Sequence, residues 1–426
     1  MHIEKLILKN FRGARNLSLE LDRRLNVFVG MNGSGKSTVL DATSILLSWL
    51  ANRIKREGAS GRTITETDIR NGESSALLHA TGLFENEKFD WNLSRTRKGH
   101  TKKESTSHLS ELSSVAGRIQ MGISGNTESA SMPLLVYYPV NRAVLDIPLR
   151  IREKHRFDLF AAYDESLTSG ANFRMFFEWF REREDLENEA FKSQSPLFSD
   201  EGSVQYPDPQ LEAVRQALAK LMPEFSNLTV RRHPLRMEVR KNENVLNVSQ
   251  LSDGEKCLMA MVGDLARRMA IANASKENPL TGKGIVLIDE IDLHLHPLWQ
   301  RMVVPRFIDV FPECQFLIST HSPHVITHVQ AKNVRILDLR NAELAAVSPT
   351  ESYGQPVEVI LENLMGLSTT RPDEIAANLH RIFEMIQDNE LDNAKDAIVR
   401  LQETIGEDPE LIKASVLVKR KELIGK

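Results

Sequence analysis

The N-terminal part of the chain has a pattern that predicts a hairpin, a short strand and a long helix. Apolar residues alternate or run together in both arms of the hairpin, and a charged turn separates them. A β-branched segment then ends at Gly30, and an apolar stripe with helical spacing follows it. These elements are expected at residues 3–11, 17–21, 25–30 and 36–56. Residues 93–108 are basic and polar, which predicts a loop.

Farther along, helical patterns alternate with apolar strand patterns. The expected elements are helices within 157–190 (broken near Ser169–Gly170) and at 209–225, a hairpin with its turn at 242–244, a helix from Ser252, and strands at 284–290, 314–320 and 334–339. Continuous apolar strands between helices are typical of a parallel sheet that is covered on both faces. The sequence therefore predicts an α/β fold.

After about Val347 the pattern becomes helical throughout. Two stretches each place their apolar residues on one helical face, and a third helix is expected at 408–423. The two faces consist of Ile375, Leu379, Ile382 and Ile386, and of Leu391, Ala394, Ile398, Leu401 and Ile405. Such faces can pack within one module, dock a partner, or do both. We expect a first domain over 1–346, with a core at 1–56 and about 226–346 and an inserted lobe at about 57–225, and a helical module over 347–426 for partner or oligomer contacts.

Composition narrows the classes of protein to which the chain can belong. The 426 residues carry a formal net charge of −4, which argues against a nucleic-acid binder that acts by bulk charge. The chain lacks an apolar run of membrane-spanning length and begins with mixed charges, which favours a cytoplasmic protein without membrane contact. One local basic stretch, Arg95, Arg97, Lys98, Lys102 and Lys103, suits either DNA phosphates or a solvated loop.

Residues 30–38, "GMNGSGKST", fit the phosphate-loop pattern and join a predicted strand to a predicted helix. Glycines allow consecutive backbone N–H groups to curl around a phosphate, and the helix N-terminus adds the positive end of its dipole. Lys36 is expected to reach the β- and γ-phosphate oxygens of ATP, and Ser37 to bind Mg²⁺. The expected phosphate-contacting residues are Asn32, Gly33, Ser34, Gly35, Lys36, Ser37 and Thr38.

A pair of carboxylates ends the apolar strand "GIVLIDE". A carboxylate at the end of a buried strand can hold Mg²⁺, which assigns Asp289 to the metal. The next carboxylate points elsewhere and can polarise an attacking water, which assigns Glu290 to general-base catalysis. The alternative interpretation is that both merely begin a solvated helix, where acidic residues are favoured.

Four motifs, "GMNGSGKST", "QLSDGEK", "GIVLIDE" and "STHSP", occur in the order found in ABC-type ATPases, which the chain resembles. The resemblance implies that Ser252, Gly254 and Glu255 form a signature motif that binds the γ-phosphate of ATP held by a second subunit. It also implies that His321 is the switch histidine and that two chains close around two ATP molecules. Gln120 is a candidate for the Q-loop glutamine.

The opening "LILKNFRG" resembles the RecF/SMC branch of these ATPases, and there Arg12 would lie near the nucleotide phosphates; a solvated turn is the alternative for Arg12. This resemblance implies a P-loop ABC-ATPase head with a mixed sheet, an inserted helical lobe and a C-terminal helical module. The roughly 210 residues between phosphate loop and signature lack sustained heptads, which excludes the long coiled coil of SMC proteins.

The segments around "FDLFAAYDESLTSGANF" and "YGQPVEVILENLMG" resemble the PtuA-like ATPases of Septu and retron anti-phage systems. That resemblance implies a homodimer or higher homo-oligomer that regulates an HNH-type nuclease subunit, with DNA or retron nucleic acid as a further partner. Two other functions stay open on the sequence alone: a RecF-like DNA repair ATPase, and an ATP sensor with negligible turnover.

Overall fold

The computed structural model describes residues 1–100, 106–125, 131–140, 143–144, 157–168, 170–193, 207–340 and 343–424. The chain divides into two compact units, 1–357 and 358–426. No helix in the described ranges is both long enough and apolar enough to cross a membrane.

The strands and helices alternate through the first unit, and the second unit is helical. The strands are β1 (His2–Phe11), β2 (Ala14–Glu20), β3 (Leu25–Val29), β4 (Ser75–Phe84), β5 (Glu87–Thr96), β6 (Leu134–Tyr138), β7 (Ala143–Val144), β8 (Ala171–Asn172), β9 (Phe225–Arg232), β10 (Leu235–Lys241), β11 (Asn244–Asn247), β12 (Gly284–Ile288), β13 (Cys314–Ser319), β14 (Val334–Arg340) and β15 (Glu343–Val347). The helices are α1 (Lys36–Lys55), α2 (Ser110–Gly125), α3 (Phe173–Ser193), α4 (Pro209–Leu221), α5 (Asp253–Ala272), α6 (Pro297–Val310), α7 (Pro323–Ile326), α8 (Val357–Asn363), α9 (Asp373–Gln387), α10 (Leu391–Ile405) and α11 (Pro409–Ile424).

A six-stranded sheet, in the order β15-β14-β3-β13-β12-β6, forms the centre of the first unit. All its strand pairs are parallel except β14 with β15. Strands β3, β6, β12 and β13 are buried along their whole length, as expected for strands that are covered on both faces. The expected α/β fold with a mixed sheet is confirmed. Its parallel strands bring the segments that follow β3, β12 and β13 to one edge.

The inserted lobe expected at about 57–225, which the resemblance implies is helical, contains strands as well as helices. Strands β4 and β5 extend the β1–β2 hairpin into an antiparallel sheet of order β2-β1-β4-β5, and β6 joins the central sheet beside β12. The apolar face of β4 contains the small residues Ala76 and Ala80, so the hydrophobic alternation of this strand is weak in the sequence. The predicted loop at 93–108 also begins too early, since β5 runs to Thr96 with Leu93 buried opposite Leu78.

The second unit has its own hydrophobic core. The two predicted apolar faces of α9 and α10 pack together with α11. The buried residues are Leu379, Ile382, Ile386, Ala394, Ile398, Leu401, Leu411, Ala414 and Val418. These stripes are therefore used for packing within the unit.

A fully buried ionic cluster ties helix α5 to the edge strand β6. Asp264 accepts from Arg267 and Arg268 at 2.7 Å each, and the Tyr138 hydroxyl donates to it at 3.0 Å. Burial opposes the charged carboxylate, but Arg268 and Arg267 outweigh it and hold the pKa of Asp264 below its ordinary value. The main-chain carbonyl of Tyr138 accepts from the Asp289 N–H at 2.8 Å, so the cluster supports the end of β12 as well.

Replacing Asp264→Ala should destabilise the first unit by about 3–5 kcal/mol, because it leaves two buried guanidinium groups without their shared carboxylate. All four tryptophans lie in this unit, so urea unfolding followed by tryptophan fluorescence reports on it alone. Asp309→Ala, at an exposed position on α6, is the matched control and should change the free energy of unfolding by less than about 0.5 kcal/mol. Equal stabilities of the two variants would contradict the role given to the cluster.

Candidate nucleotide-binding site

The loop between β3 and α1 has the backbone of an anion-binding site. Gly33 and Gly35 have φ angles of 78° and 88°, in the left-handed region that glycine adopts without strain. Gly35 caps α1 without contributing a side chain, so the first N–H groups of the helix point out of its N-terminus. These N–H groups and the helix dipole together favour a bound phosphate.

Lys36 is held over this loop. Its ammonium group donates to the carbonyls of Gly30 at 2.9 Å and Met31 at 3.0 Å, and only 5% of the residue is exposed. Burial lowers the pKa of Lys36, and the carboxylates of Asp289, Glu290 and Asp292 act in the opposite direction. The lysine therefore lies within electrostatic range of the predicted catalytic carboxylates.

The other predicted loop residues differ in accessibility. Asn32, Gly33 and Ser37 are exposed, Thr38 is half-buried, and Ser34 is buried. Within the described part of the chain, the Ser34 hydroxyl oxygen has no hydrogen-bond partner. A buried hydroxyl without a partner fits a site whose phosphate oxygens would accept from it.

Asp289 and Glu290 follow β12 directly, and one serine holds both. The Ser319 hydroxyl, at the end of the neighbouring strand β13, donates to the Asp289 carboxylate and accepts from the Glu290 N–H at 2.8 Å. Only 2% of Asp289 is exposed. Glu290 has a φ of 47°, which a non-glycine residue adopts only where its surroundings enforce it. The two carboxylates differ in exposure, since Asp289 is buried and Glu290 is half-buried, which suits the proposed division between metal and water.

His321 follows β13 at the same edge of the sheet. Burial and the charge of Lys36 lower its pKa, while Asp292, Glu290 and Asp289 oppose the shift. The sequence motifs thus predicted four groups, Lys36, Asp289, Glu290 and His321, that the fold brings together. Sequence reasoning missed Ser319 and Asp292, although both lie within or next to the motifs.

The predicted signature residues cap helix α5. The Glu255 N–H donates to the Ser252 hydroxyl at 3.4 Å, and the Ser252 N–H donates to the Glu255 carboxylate at 2.8 Å. The Glu255 carboxylate also pairs with Lys241, so it is engaged within its own chain. A Cβ atom on Gly254 would lie 2.1 Å from the His294 carbonyl oxygen. The glycine is therefore needed for close packing against the segment that follows Glu290.

Arg12 lies against α1, and its guanidinium group pairs with two carboxylates. One is Asp41, one helical turn beyond Ser37, and the other is Asp68 at 2.8 Å. Arg62 pairs with the same Asp41 at 2.9 Å. The alternative of a solvated turn charge is thus wrong for Arg12, while its approach to a phosphate stays a prediction.

The Q-loop candidate Gln120 is wrong. Its amide group donates to the carbonyls of Arg53 and Ile54, at the C-terminal end of α1. The phosphate loop lies at the opposite end of this helix, about 27 Å away at 1.5 Å per residue. Gln120 therefore caps α1 and does not reach the nucleotide site.

The profile of the AAA domain matches residues 5–226, which is more than half of the chain. The chain belongs to the AAA ATPase family. A second AAA profile, described as a putative AbiEii toxin of a type IV toxin–antitoxin system, matches residues 145–327 of this AAA ATPase.

Relatives of this AAA ATPase include a retron protein and a Septu protein. The retron Ec83 probable ATPase of Escherichia coli is 31% identical over 93% of this chain and 82% of its own length. The Septu protein PtuA of Bacillus mycoides is 32% identical over 30% of this chain and 18% of its own length. The expected resemblance to retron and Septu ATPases is confirmed, and it covers more of the retron relative than of the Septu protein.

Among solved structures, an SMC head bound to the C-terminal winged-helix domain of ScpA matches 82% of this chain and 98% of its own chain, with 18% identity and a TM-score of 0.47.

Replacing Gly254→Ala should destabilise the first unit by about 1–3 kcal/mol, because the new methyl group would overlap the His294 carbonyl. The matched control is Gly117→Ala in α2, where an added Cβ meets no atom within 4 Å. There the better helix propensity of alanine should stabilise by about 1 kcal/mol. Urea unfolding followed by tryptophan fluorescence measures both changes, and shifts of the same sign would contradict the close packing at Gly254.

Proposed function

We propose that this AAA ATPase binds ATP with Mg²⁺, hydrolyses it, and serves as the ATPase subunit of an anti-phage defence complex. The observation that carries the proposal is the convergence of Lys36, Asp289, Glu290 and His321 at one edge of the central sheet. The similarity to the retron relative over most of both chains supports the defence role.

The residues present fit the chemistry of phosphoryl transfer to water. Lys36 and the N–H groups that begin α1 bind the phosphates, with Ser34 offering an additional hydroxyl. Ser37 and Asp289 would hold Mg²⁺, which when bound neutralises charge on the phosphate oxygens. Glu290, oriented by its turn and by Ser319, accepts a proton from the attacking water. His321 contacts the γ-phosphate.

Glu290→Gln should lower ATP turnover by about 10²–10⁴-fold, because the amide cannot accept the proton of water, while ATP binding persists. Lys36→Ala should lower turnover by about 10²–10³-fold and weaken ATP binding as well, because it removes a positive charge from the phosphates. Multiple-turnover phosphate release and equilibrium dialysis with labelled ATP measure the two effects. Normal turnover by Glu290→Gln would refute its role, and negligible turnover by the wild type would favour the ATP sensor.

The N-terminus of α5 supports closure by a second copy of the chain. The Ser252 oxygen accepts from the Glu255 N–H within the capping box, which places Ser252 at the N-terminus of the helix, where the helix dipole favours an anion. Ser252 and Asp253 are exposed, whereas Lys36 is buried over its own loop. In the proposed dimer, Ser252 and Gly254 of one chain meet the ATP that Lys36 of the other chain holds.

A heterodimer of two inactive variants tests this arrangement. Lys36→Ala inactivates the phosphate loop, and Ser252→Asp keeps a good N-cap but directs a negative charge at the phosphate. If the sites are shared between chains, a heterodimer purified through two different tags contains one intact site and should regain about half of the wild-type turnover. If each chain holds a complete site, the heterodimer stays inactive. Ser252→Asn, which caps without a charge, is the matched control.

The second part of the proposal is that ATP turnover regulates a partner nuclease of HNH type. The retron and Septu relatives support a defence complex, and the identity of the partner is inferred from that resemblance. Co-purification with the product of the neighbouring reading frame, followed by nuclease assays with ATP and with the Glu290→Gln variant, tests it. A partner without nuclease activity would refute this part and leave the ATPase assignment intact.

The alternative of a RecF-like DNA repair ATPase has little support at the basic stretch. Arg97 donates to the carbonyls of Ile69 and Arg70 within its own unit, and Arg95 lies in strand β5. Lys102 and Lys103 lie outside the described residues. DNA-stimulated dimerisation without a nuclease partner would nevertheless restore that alternative.

A further inference from the structure

We propose that Asp292 is a positioning residue for His321. Together with Gln300, it forms a ring of hydrogen bonds that holds residues 320–322 in place. The inference rests on the proposed ATP hydrolysis and deepens it, since it names residues that act on His321 without touching the substrate.

The first half of the ring is a carboxylate that accepts from two successive residues. The Thr320 hydroxyl donates to one oxygen of Asp292 at 2.5 Å, and the His321 N–H donates to the same oxygen at 3.2 Å. Thr320 is completely buried, and Asp292 and His321 are half-buried. The carboxylate therefore fixes the backbone from which the imidazole extends.

Gln300, in the first turn of α6, forms the second half of the ring. Its side-chain oxygen accepts from the Ser322 hydroxyl at 2.7 Å, and its amide nitrogen donates to the main-chain carbonyls of Asp292 at 3.3 Å and Leu295 at 2.8 Å. The Ser322 N–H also donates to the Thr320 hydroxyl at 3.0 Å. Residues 320–322 are thus held from both ends by groups on two other segments.

The position of Asp292 links the proposed base Glu290 to His321. Asp292 lies two residues beyond Glu290, so one short segment carries the proposed base and also holds the histidine. The acceptor of both bonds is a carboxylate, so each bond is charge-assisted and costly to lose. Because His321 follows β13 and Asp292 follows β12, the ring also fixes the spacing between the two strand ends that flank the site.

A double-mutant cycle tests the proposal on the full chain. Asp292→Ala should lower kcat about 10- to 100-fold with little change in KM, because it lets the histidine move away from the γ-phosphate. The Asp292→Ala/His321→Ala variant should turn over no more slowly than His321→Ala alone, because Asp292 acts through His321. Independent effects that multiply in the double variant would overturn the proposal, as would wild-type kcat in Asp292→Ala.

Two further variants separate positioning from a general loss of structure. Asn at position 292 keeps an acceptor for Thr320 and His321, so Asp292→Asn should retain turnover within a few-fold of the wild type. Asp309→Ala on α6 should leave turnover unchanged. Tryptophan-fluorescence melting verifies that each variant is folded. If Asp292→Asn were as inactive as Asp292→Ala, the carboxylate charge rather than its hydrogen bonds would carry the effect, and the ring proposal would be overturned.

The preference of the protein for ATPγS over ADP distinguishes failure of this inference from failure of the proposed function. If the wild type binds nucleotide without hydrolysing it, the ATPase assignment fails, and the ring is tested by binding alone. Asp292→Ala and His321→Ala should then lose the same fold-preference for ATPγS, since both remove the same γ-phosphate contact. An unchanged preference in Asp292→Ala beside a reduced one in His321→Ala would overturn the ring proposal.

Discussion

The balance of charge around the buried ammonium group of Lys36 is the constraint on which the rest of the structure depends. Burial disfavours the charged lysine, and Asp289, Glu290 and Asp292, which follow β12 two strands away, offset part of that cost. Such a balance requires that the segments after β3 and β12 meet at one edge, which only a parallel arrangement of these strands provides. The apolar strands and the helices that cover the sheet therefore bring four charged groups close enough to interact. These groups are Lys36, Asp289, Glu290 and Asp292.

The polar groups around this edge restrict the motion of the charges. The Ser319 hydroxyl donates to the Asp289 carboxylate and accepts from the Glu290 N–H, and the carbonyl of Tyr138 accepts from the Asp289 N–H. Tyr138 in turn donates to Asp264 in α5, the helix that begins with the signature residues. Gly254, in the first turn of α5, packs on His294, which lies in the segment that follows Glu290. The first turn and the middle of α5 are therefore coupled by short contacts to the segment after β12 and to β6 beside it, and a displacement of the helix would reach the carboxylates.

Local sequence predicted those parts of the site whose function depends on a short stretch of chain. The phosphate loop, the carboxylate pair and the capping residue Ser252 are of this kind, and so are the central strands, because full burial gives them uniformly apolar sequences. Ser319 and Asp292 are different, since their partners are about thirty residues away and only the fold brings them close. The Q-loop prediction for Gln120 failed for the same reason. The residue was chosen because it is a glutamine, and local sequence does not show that it contacts the far end of α1. The weak alternation of β4, with two alanines on its buried face, hid the second sheet.

The signature helix raises an electrostatic problem that the structure resolves. Asp253 and Glu255 place two negative charges in the first turn of α5, which would repel a phosphate from the helix N-terminus. Lys256 lies 3.4 Å from Asp253, and Lys241 pairs with Glu255. Lys241 comes from strand β10, so no local pattern around the signature could reveal this compensation. With both carboxylates paired, the dipole of the helix still favours an anion at its N-terminus. Glu255 thus acts as the second half of a capping box, and its charge is paired within its own chain.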